Sequence, residues 1–193
     1  MTHMEHELVI ALNRKIIFVN PNDLQIFKEV EIESDLVPLG LKLSKDDNDD
    51  ESKTKKPKSQ EEAKIQHVAL SDDLQWLAVT TSGQKALLLF KCLPVHAKLV
   101  SIRPIPRASS ALIFSPSGSS VLVCDKTGDC YQFDVSEDSQ NPGKLVLGHL
   151  SIVYDVLFPP GENHIITSDR DEKIRVTNYP NSYEIANYCL GHK

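Results

Sequence analysis

HVALSDDLQWLAVTTSGQKALLLF (67–90), SALIFSPSGSSVLVCDKTGDCYQF (110–133) and DVLFPPGENHIITSDRDEKIRV (155–176) superimpose as three copies of one pattern. Leu70, Phe114 and Phe158 close the first apolar run of each copy at intervals of 44 residues. Phe90, Phe133 and Val176 close the third run at intervals of 43. Gly148-His149 recurs as Gly191-His192, also 43 residues on. The runs themselves (WLAVT, ALLLF, ALIF, VLVC, CYQF, VYDVLF, HIIT, KIRV) are four to six residues long and rich in Val, Ile, Leu and aromatics. Turn residues separate them: Ser82-Gly83, Ser115-Pro116-Ser117-Gly118, Lys126-Thr127-Gly128-Asp129 and Pro159-Pro160-Gly161. Short β-prone runs with such punctuation predict an all-β chain, and no stretch carries the i, i+3, i+4, i+7 stripe of an amphipathic helix.

A period of 43–44 residues with about four strands per copy resembles the ~40–45-residue blade of a WD-repeat β-propeller. Upstream, residues 1–44 add about three strands, ELVIAL (7–12), KIIFVN (15–20) and DLQIFKEVEI (23–32), without a repeat signature. Residues 65–193 hold three consecutive WD-type blades. The expected fold is therefore a partial propeller of about three and a half blades, fewer than the ~4–8 of a closed one. It is expected to be incomplete at its C-terminus, where the sequence stops at Gly191-His192-Lys193.

One segment stands apart. Residues 45–64, KDDNDDESKTKKPKSQEEAK, carry seven acids and six lysines with one apolar side chain, Ala63. Such composition cannot offset its ordering entropy, so a disordered insertion is expected. Its basic block, Lys53, Lys55, Lys56 and Lys58, resembles a short nuclear localisation signal, which predicts the nucleus, with the cytoplasm as a second location. A solvated insertion between strands accounts for the same residues.

Composition narrows the function classes. No apolar run approaches the ~18 residues of a membrane helix, so no membrane partner is expected. The net charge of −6 argues against a chain-wide polyanion binder. Cys92, Cys124, Cys130 and Cys189 form no CxxC pair, which predicts reduced thiols rather than a disulfide framework or a zinc site. There is no Gly-rich phosphate loop and no nucleophile elbow, so neither catalytic residues nor a cofactor or metal site is expected.

In WD blades a His before the blade bonds an Asp in the turn between its second and third strands, with a Ser or Thr and a Trp completing the set. Here that predicts His149 with Asp171, and Thr167 or Ser168 as the hydroxyl. The Trp position holds Thr177, so the set is incomplete; the two earlier copies lack both Gly-His and a matching Asp. His149, Asp171 and Ser168 can be drawn as a catalytic triad, but the repeat already explains them. Two loops carry charge for a partner: Asp169-Arg170-Asp171-Glu172-Lys173 with Arg175, and the stiff connection Ile102-Arg103-Pro104-Ile105-Pro106-Arg107.

Taken together, LVLGHLSIVYDVLF (145–158), SDRDEKIRV (168–176) and YCLGH (188–192) resemble the WD-repeat, non-catalytic subunit of the tRNA (guanine-N7) methyltransferase. VLVCDKTGDCYQF (121–133) resembles a hairpin of the same family, and the insertion falls where that family is variable and hydrophilic. The resemblance covers most of the chain but about half of a family member. It implies a protein without catalytic activity or cofactor of its own, which stabilises a separate S-adenosylmethionine-dependent subunit and meets tRNA mainly through the complex. It also implies a partner-facing role for the charged turn: Arg170, Lys173 and Arg175 would pair with acids of the methyltransferase, flanked by Asp169 and Glu172. A generic nuclear WD-repeat scaffold for chromatin, repair or ubiquitin-ligase complexes is the alternative, and a propeller hydrolase a third.

Overall fold

Every apolar run quoted above forms a strand, and no helix occurs among the residues that the computed structural model describes, 8–42, 61–94, 96–137 and 140–190. The first sheet has three strands, β1 (Leu8–Leu12), β2 (Lys15–Val19) and β3 (Ile26–Glu31). The second has four: β4 (Lys64–Leu70), β5 (Trp76–Ser82), β6 (Ala86–Cys92) and β7 (Ala97–Pro104). The third comprises β8 (Ser109–Phe114), β9 (Ser120–Asp125), β10 (Asp129–Asp134) and β11 (Lys144–Gly148). The fourth comprises β12 (Val153–Leu157), β13 (His164–Asp169), β14 (Ile174–Asn178) and β15 (Ile185–Cys189). Strands within each sheet pair antiparallel in chain order, and the leading strands β1, β4, β8 and β12 stand beside one another in that order.

The repeat reaches down to a backbone irregularity. Each inner strand of the last three sheets shifts register after its start, leaving Gln66, Ser110 and Tyr154 as the extra residue. These bulges are 44 residues apart, the spacing read from the apolar runs. A bulge sharpens local twist, which turns each inner strand at the same level.

Strand alternation builds the core as three layers between sheets. Leu77 and Val79 of β5, with Ala86, Leu88 and Phe90 of β6, face Ile16, Phe18 and Val30 of the first sheet. Their neighbours Ala78, Leu87 and Leu89 face Phe114, Val121, Val123 and Phe133 of the third. Leu122 and Cys124 on the other side of β9 meet Val153, Val156 and Ile165 of the fourth. Strands buried on both faces read as unbroken apolar runs, which is why ALLLF and VLVC show no polar alternation. The fourth sheet has no such neighbour among the described residues: β15 is exposed along its whole length.

Two expectations change. Residues 61–64, assigned by charge to the insertion, belong to the folded part. Ala63 is fully buried, its N–H donates to the Ser34 carbonyl at 2.8 Å, and Lys64 opens β4. The rest of the insertion, including Lys53, Lys55, Lys56 and Lys58, lies outside the described residues, as does Gly191-His192. Cys124 and Cys130, expected as reduced thiols, are joined in a disulfide. They are direct cross-strand partners on β9 and β10, with Cα atoms 4.0 Å apart, so their side chains share one face. Cys92, which is buried, and Cys189, which is exposed, take no part in a disulfide.

Candidate partner-docking site

Thr167 and Asp169 are two apart on β13, so they point to the same face, toward the third sheet. His149 follows the last residue of β11 and enters between them. Its Nδ1 lies 2.9 Å from Asp169 Oδ2 and its Nε2 lies 2.8 Å from Thr167 Oγ1. The His149 and Asp169 side chains are 2% and 3% exposed. The other oxygen of Asp169 accepts the backbone N–H groups of Asp171 at 2.9 Å and Lys173 at 3.1 Å. One carboxylate thus closes the β13–β14 turn and locks it to the loop that enters the sheet.

Burial pushes the His149 ring below its usual range; the Asp169 hydrogen bond resists this, and the nearby Arg175 charge adds to it. For Asp169, burial pushes upward but is outweighed by the hydrogen bonds from His149 and the Lys173 N–H, so its carboxyl is held low. The ring is therefore neutral near pH 7, with Nδ1–H donating to Asp169 and Nε2 accepting from Thr167. Nothing in this set is aimed at a reactant, because all of its polar atoms are consumed by one another and by the turn.

The carboxylate read from the sequence is corrected: His149 bonds Asp169, not Asp171; of the two hydroxyls read for the set, Thr167 is the one it meets. Asp171 lies past the end of β13, in the turn, where its carboxylate sits 3.7 Å from Arg170 and 3.8 Å from Lys173. Asp169 and Arg175, expected to face a partner, are buried. Arg175 instead donates from Nη1 to the Gly148 carbonyl at 2.9 Å, bracing the residue before His149. Thr177, at the Trp position, is fully buried with its hydroxyl unpartnered.

What remains outward is Arg170, Asp171, Glu172 and Lys173. Glu172 sits at φ +62°, in the left-handed region. The matching turns of the second and third sheets place Gly83 at +72° and Gly128 at +106°. A non-glycine residue there costs on the order of 1 kcal/mol or more, so a carboxylate is carried at this turn tip against the local backbone preference. At Gly128 a side chain has no room: a Cβ would come within 2.5 Å of the His149 carbonyl oxygen and 2.6 Å of that of Ser151.

The sequence reading missed Asp125. It lies 44 residues before Asp169, at the end of β9, and its Oδ1 accepts from the N–H groups of Thr127, Gly128 and Asp129 at 2.8, 3.1 and 3.2 Å. Thr81 does the same for the second sheet, accepting from the Ala86 N–H at 3.1 Å. The second copy, which forms the third sheet, therefore does have the matching Asp; the 44-residue interval was its signal. Arg103, read as a loop cation, is 1% exposed, donates to the Asp134 carbonyl at 2.9 Å and lies over the Phe133 ring.

Radially successive four-stranded sheets, turn-closing Asp residues at the repeat interval and a His locked to one of them define a WD-repeat β-propeller module. Residues 39–144 and 136–193 match the family described as the tRNA methyltransferase TRM82 WD40 domain, and the chain belongs to that family. It is similar to the tRNA (guanine-N(7)-)-methyltransferase non-catalytic subunit wuho of Drosophila grimshawi, with 54% identity over 99% of this chain and 51% of that protein. It is likewise similar to the proteins of the same description from Drosophila mojavensis, at 55% identity over 99% of this chain, and Drosophila melanogaster, at 46% over 98%. The chain spans about half the length of these curated relatives.

Proposed function

We propose that this chain acts as a non-catalytic docking subunit. It binds and stabilises the S-adenosylmethionine-dependent methyltransferase that forms N7-methylguanosine in tRNA, and it reaches tRNA mainly through that complex. The methyl donor and the chemistry belong to the partner. What carries this reading is the agreement of 54% identity across 99% of the chain with a relative described as the non-catalytic subunit. The outward turn supplies the physical means. Arg170, Glu172 and Lys173 project from a loop whose base is fixed by the His149–Asp169 bond, so little ordering cost attends contact with an acidic surface.

Co-purification tests it. A tagged form of the protein retains the catalytic methyltransferase subunit of the same organism through washing at physiological salt. Retention of chromatin, repair or ubiquitin-ligase components with no methyltransferase refutes the proposal in favour of a general scaffold.

Nuclear residence is a second part of the proposal, resting on Lys53, Lys55, Lys56 and Lys58. Replacing these four with Ala moves a fluorescent fusion to the cytoplasm; unchanged nuclear signal removes the segment from the account.

A further inference from the structure

The first sheet has three strands where the other three sheets have four, and β3 is its open edge: among the described residues β3 pairs with β2 alone. The Ile32 N–H donates inward to the Arg14 carbonyl at 2.9 Å. Hydrogen-bonded and non-hydrogen-bonded pairs alternate along an antiparallel ladder, so the Val30 backbone also faces β2, while the N–H and C=O groups of Glu29 and Glu31 face outward. Beside this edge, where a fourth strand would lie, runs a groove of about 380 Å³. Leu39 and, from the second sheet, Ala97 and Leu99 give it an apolar wall. Glu29, Glu31 and Glu33 line its rim, all exposed.

We propose that this edge is a β-augmentation site for a partner protein's extended segment that alternates apolar with Lys or Arg residues. An added strand satisfies the outward backbone groups of Glu29 and Glu31. Its side chains then alternate, one set entering the apolar groove and the other lying on the face that carries Glu29, Glu31 and Glu33. The charge on that face selects basic residues. Two of the acids already have weak surface partners, Lys15 with Glu29 and Arg14 with Glu31, each at 3.7 Å. Exposed pairs of this length hold their partners loosely, and Glu33 extends the acidic row beyond them. Sheet edges left open are the usual route to unwanted pairing, and natural chains blunt them with charge; here the exposed charges of the edge segment itself, Glu29, Glu31 and Glu33, have one sign and stand beside an apolar groove, which favours a basic strand over an acidic one. The site is separate from the β13–β14 turn and does not depend on the proposed methyltransferase docking.

The test uses two seven-residue probe peptides, one alternating Val with Lys and the other Val with Glu, titrated into the full-length protein. The Val-Lys peptide binds and slows amide exchange at Glu29 and Glu31 by at least tenfold, and the Val-Glu peptide does not bind. The combined variant Glu29→Lys, Glu31→Lys and Glu33→Lys, checked for an unchanged far-ultraviolet spectrum, reverses the preference. Failure of the Val-Lys peptide to bind overturns the proposal. So does binding without protection of those two amides, binding that the triple variant leaves unchanged, or concentration-dependent pairing of two copies of the protein through β3.

Discussion

Asp169→Ala lowers folding stability by about 3–5 kcal/mol, while Asp171→Ala, two residues away, changes it by about 0.5 kcal/mol or less. The asymmetry follows from what each carboxylate touches. Asp169 closes three hydrogen bonds, with the His149 ring and with the N–H groups of Asp171 and Lys173. Its removal leaves these donors unpaired in a buried setting, at about 1–3 kcal/mol for each fully buried group. Asp171 makes only exposed ion pairs with Arg170 and Lys173, a class worth about 0–1 kcal/mol. Urea unfolding of the two variants checks this; equal losses contradict it. The same pair sets an acid response. His149 is held below its unfolded value, so its contribution is present above pH ~6.5 and is lost as pH falls through its folded value. Asp169 is also held low, so its contribution is present above pH ~3.9 and is lost at still lower pH. Burial likewise lowers His67, which adds to the first step. His149→Gln therefore reduces, without abolishing, the loss of stability between neutral pH and pH 5.

On the proposed function, the combined variant Arg170→Glu and Lys173→Glu weakens binding of the proposed methyltransferase partner at least a hundredfold, without a matching loss of stability. Both cations are exposed and tethered only loosely to Asp171. They can be redirected to a partner at small cost, and close interfacial charge pairs show couplings of about 1.5–7 kcal/mol. Asp171→Asn frees the same cations and leaves binding equal or tighter. Arg175→Glu acts differently: it removes the donor that braces Gly148 and sets a buried carboxylate against that carbonyl, so its loss of binding tracks its loss of stability. Titration calorimetry beside denaturation separates the two behaviours. Unchanged affinity in the double variant removes the turn from the interface.

The architecture was legible because the repeat is written three times over, in apolar runs, in turn residues and in the Gly-His pair. The same interval held an unread message, Asp125, which looked like an ordinary turn residue in CDKTGD until its carboxylate was seen closing the turn as Asp169 does. SDRDEK offers two aspartates two residues apart, and strand parity alone does not say where β13 ends, so the choice of Asp171 slipped by one pleat. Arg175 and Arg103 read as surface cations because charge usually marks solvent. On a sheet face covered by its neighbour, however, an Arg can serve the layer by bonding a carbonyl, as both do. Cys124 and Cys130 were read by sequence spacing, whereas cross-strand register is what brings them together. The first sheet carried no repeat signature, and nothing in DLQIFKEVEI announced that β3 would be the edge of that sheet among the described residues.

On the proposed function, stacked sheets hold a charged turn in place for a neighbour that performs the methyl transfer. The decisive experiment measures N7-methylation of tRNA by the catalytic subunit alone, with the full-length protein, and with its Arg170→Glu, Lys173→Glu variant. The protein is expected to raise activity at least tenfold, and the variant to raise it far less at equal concentration. Equal activity in all three reactions would contradict the proposal.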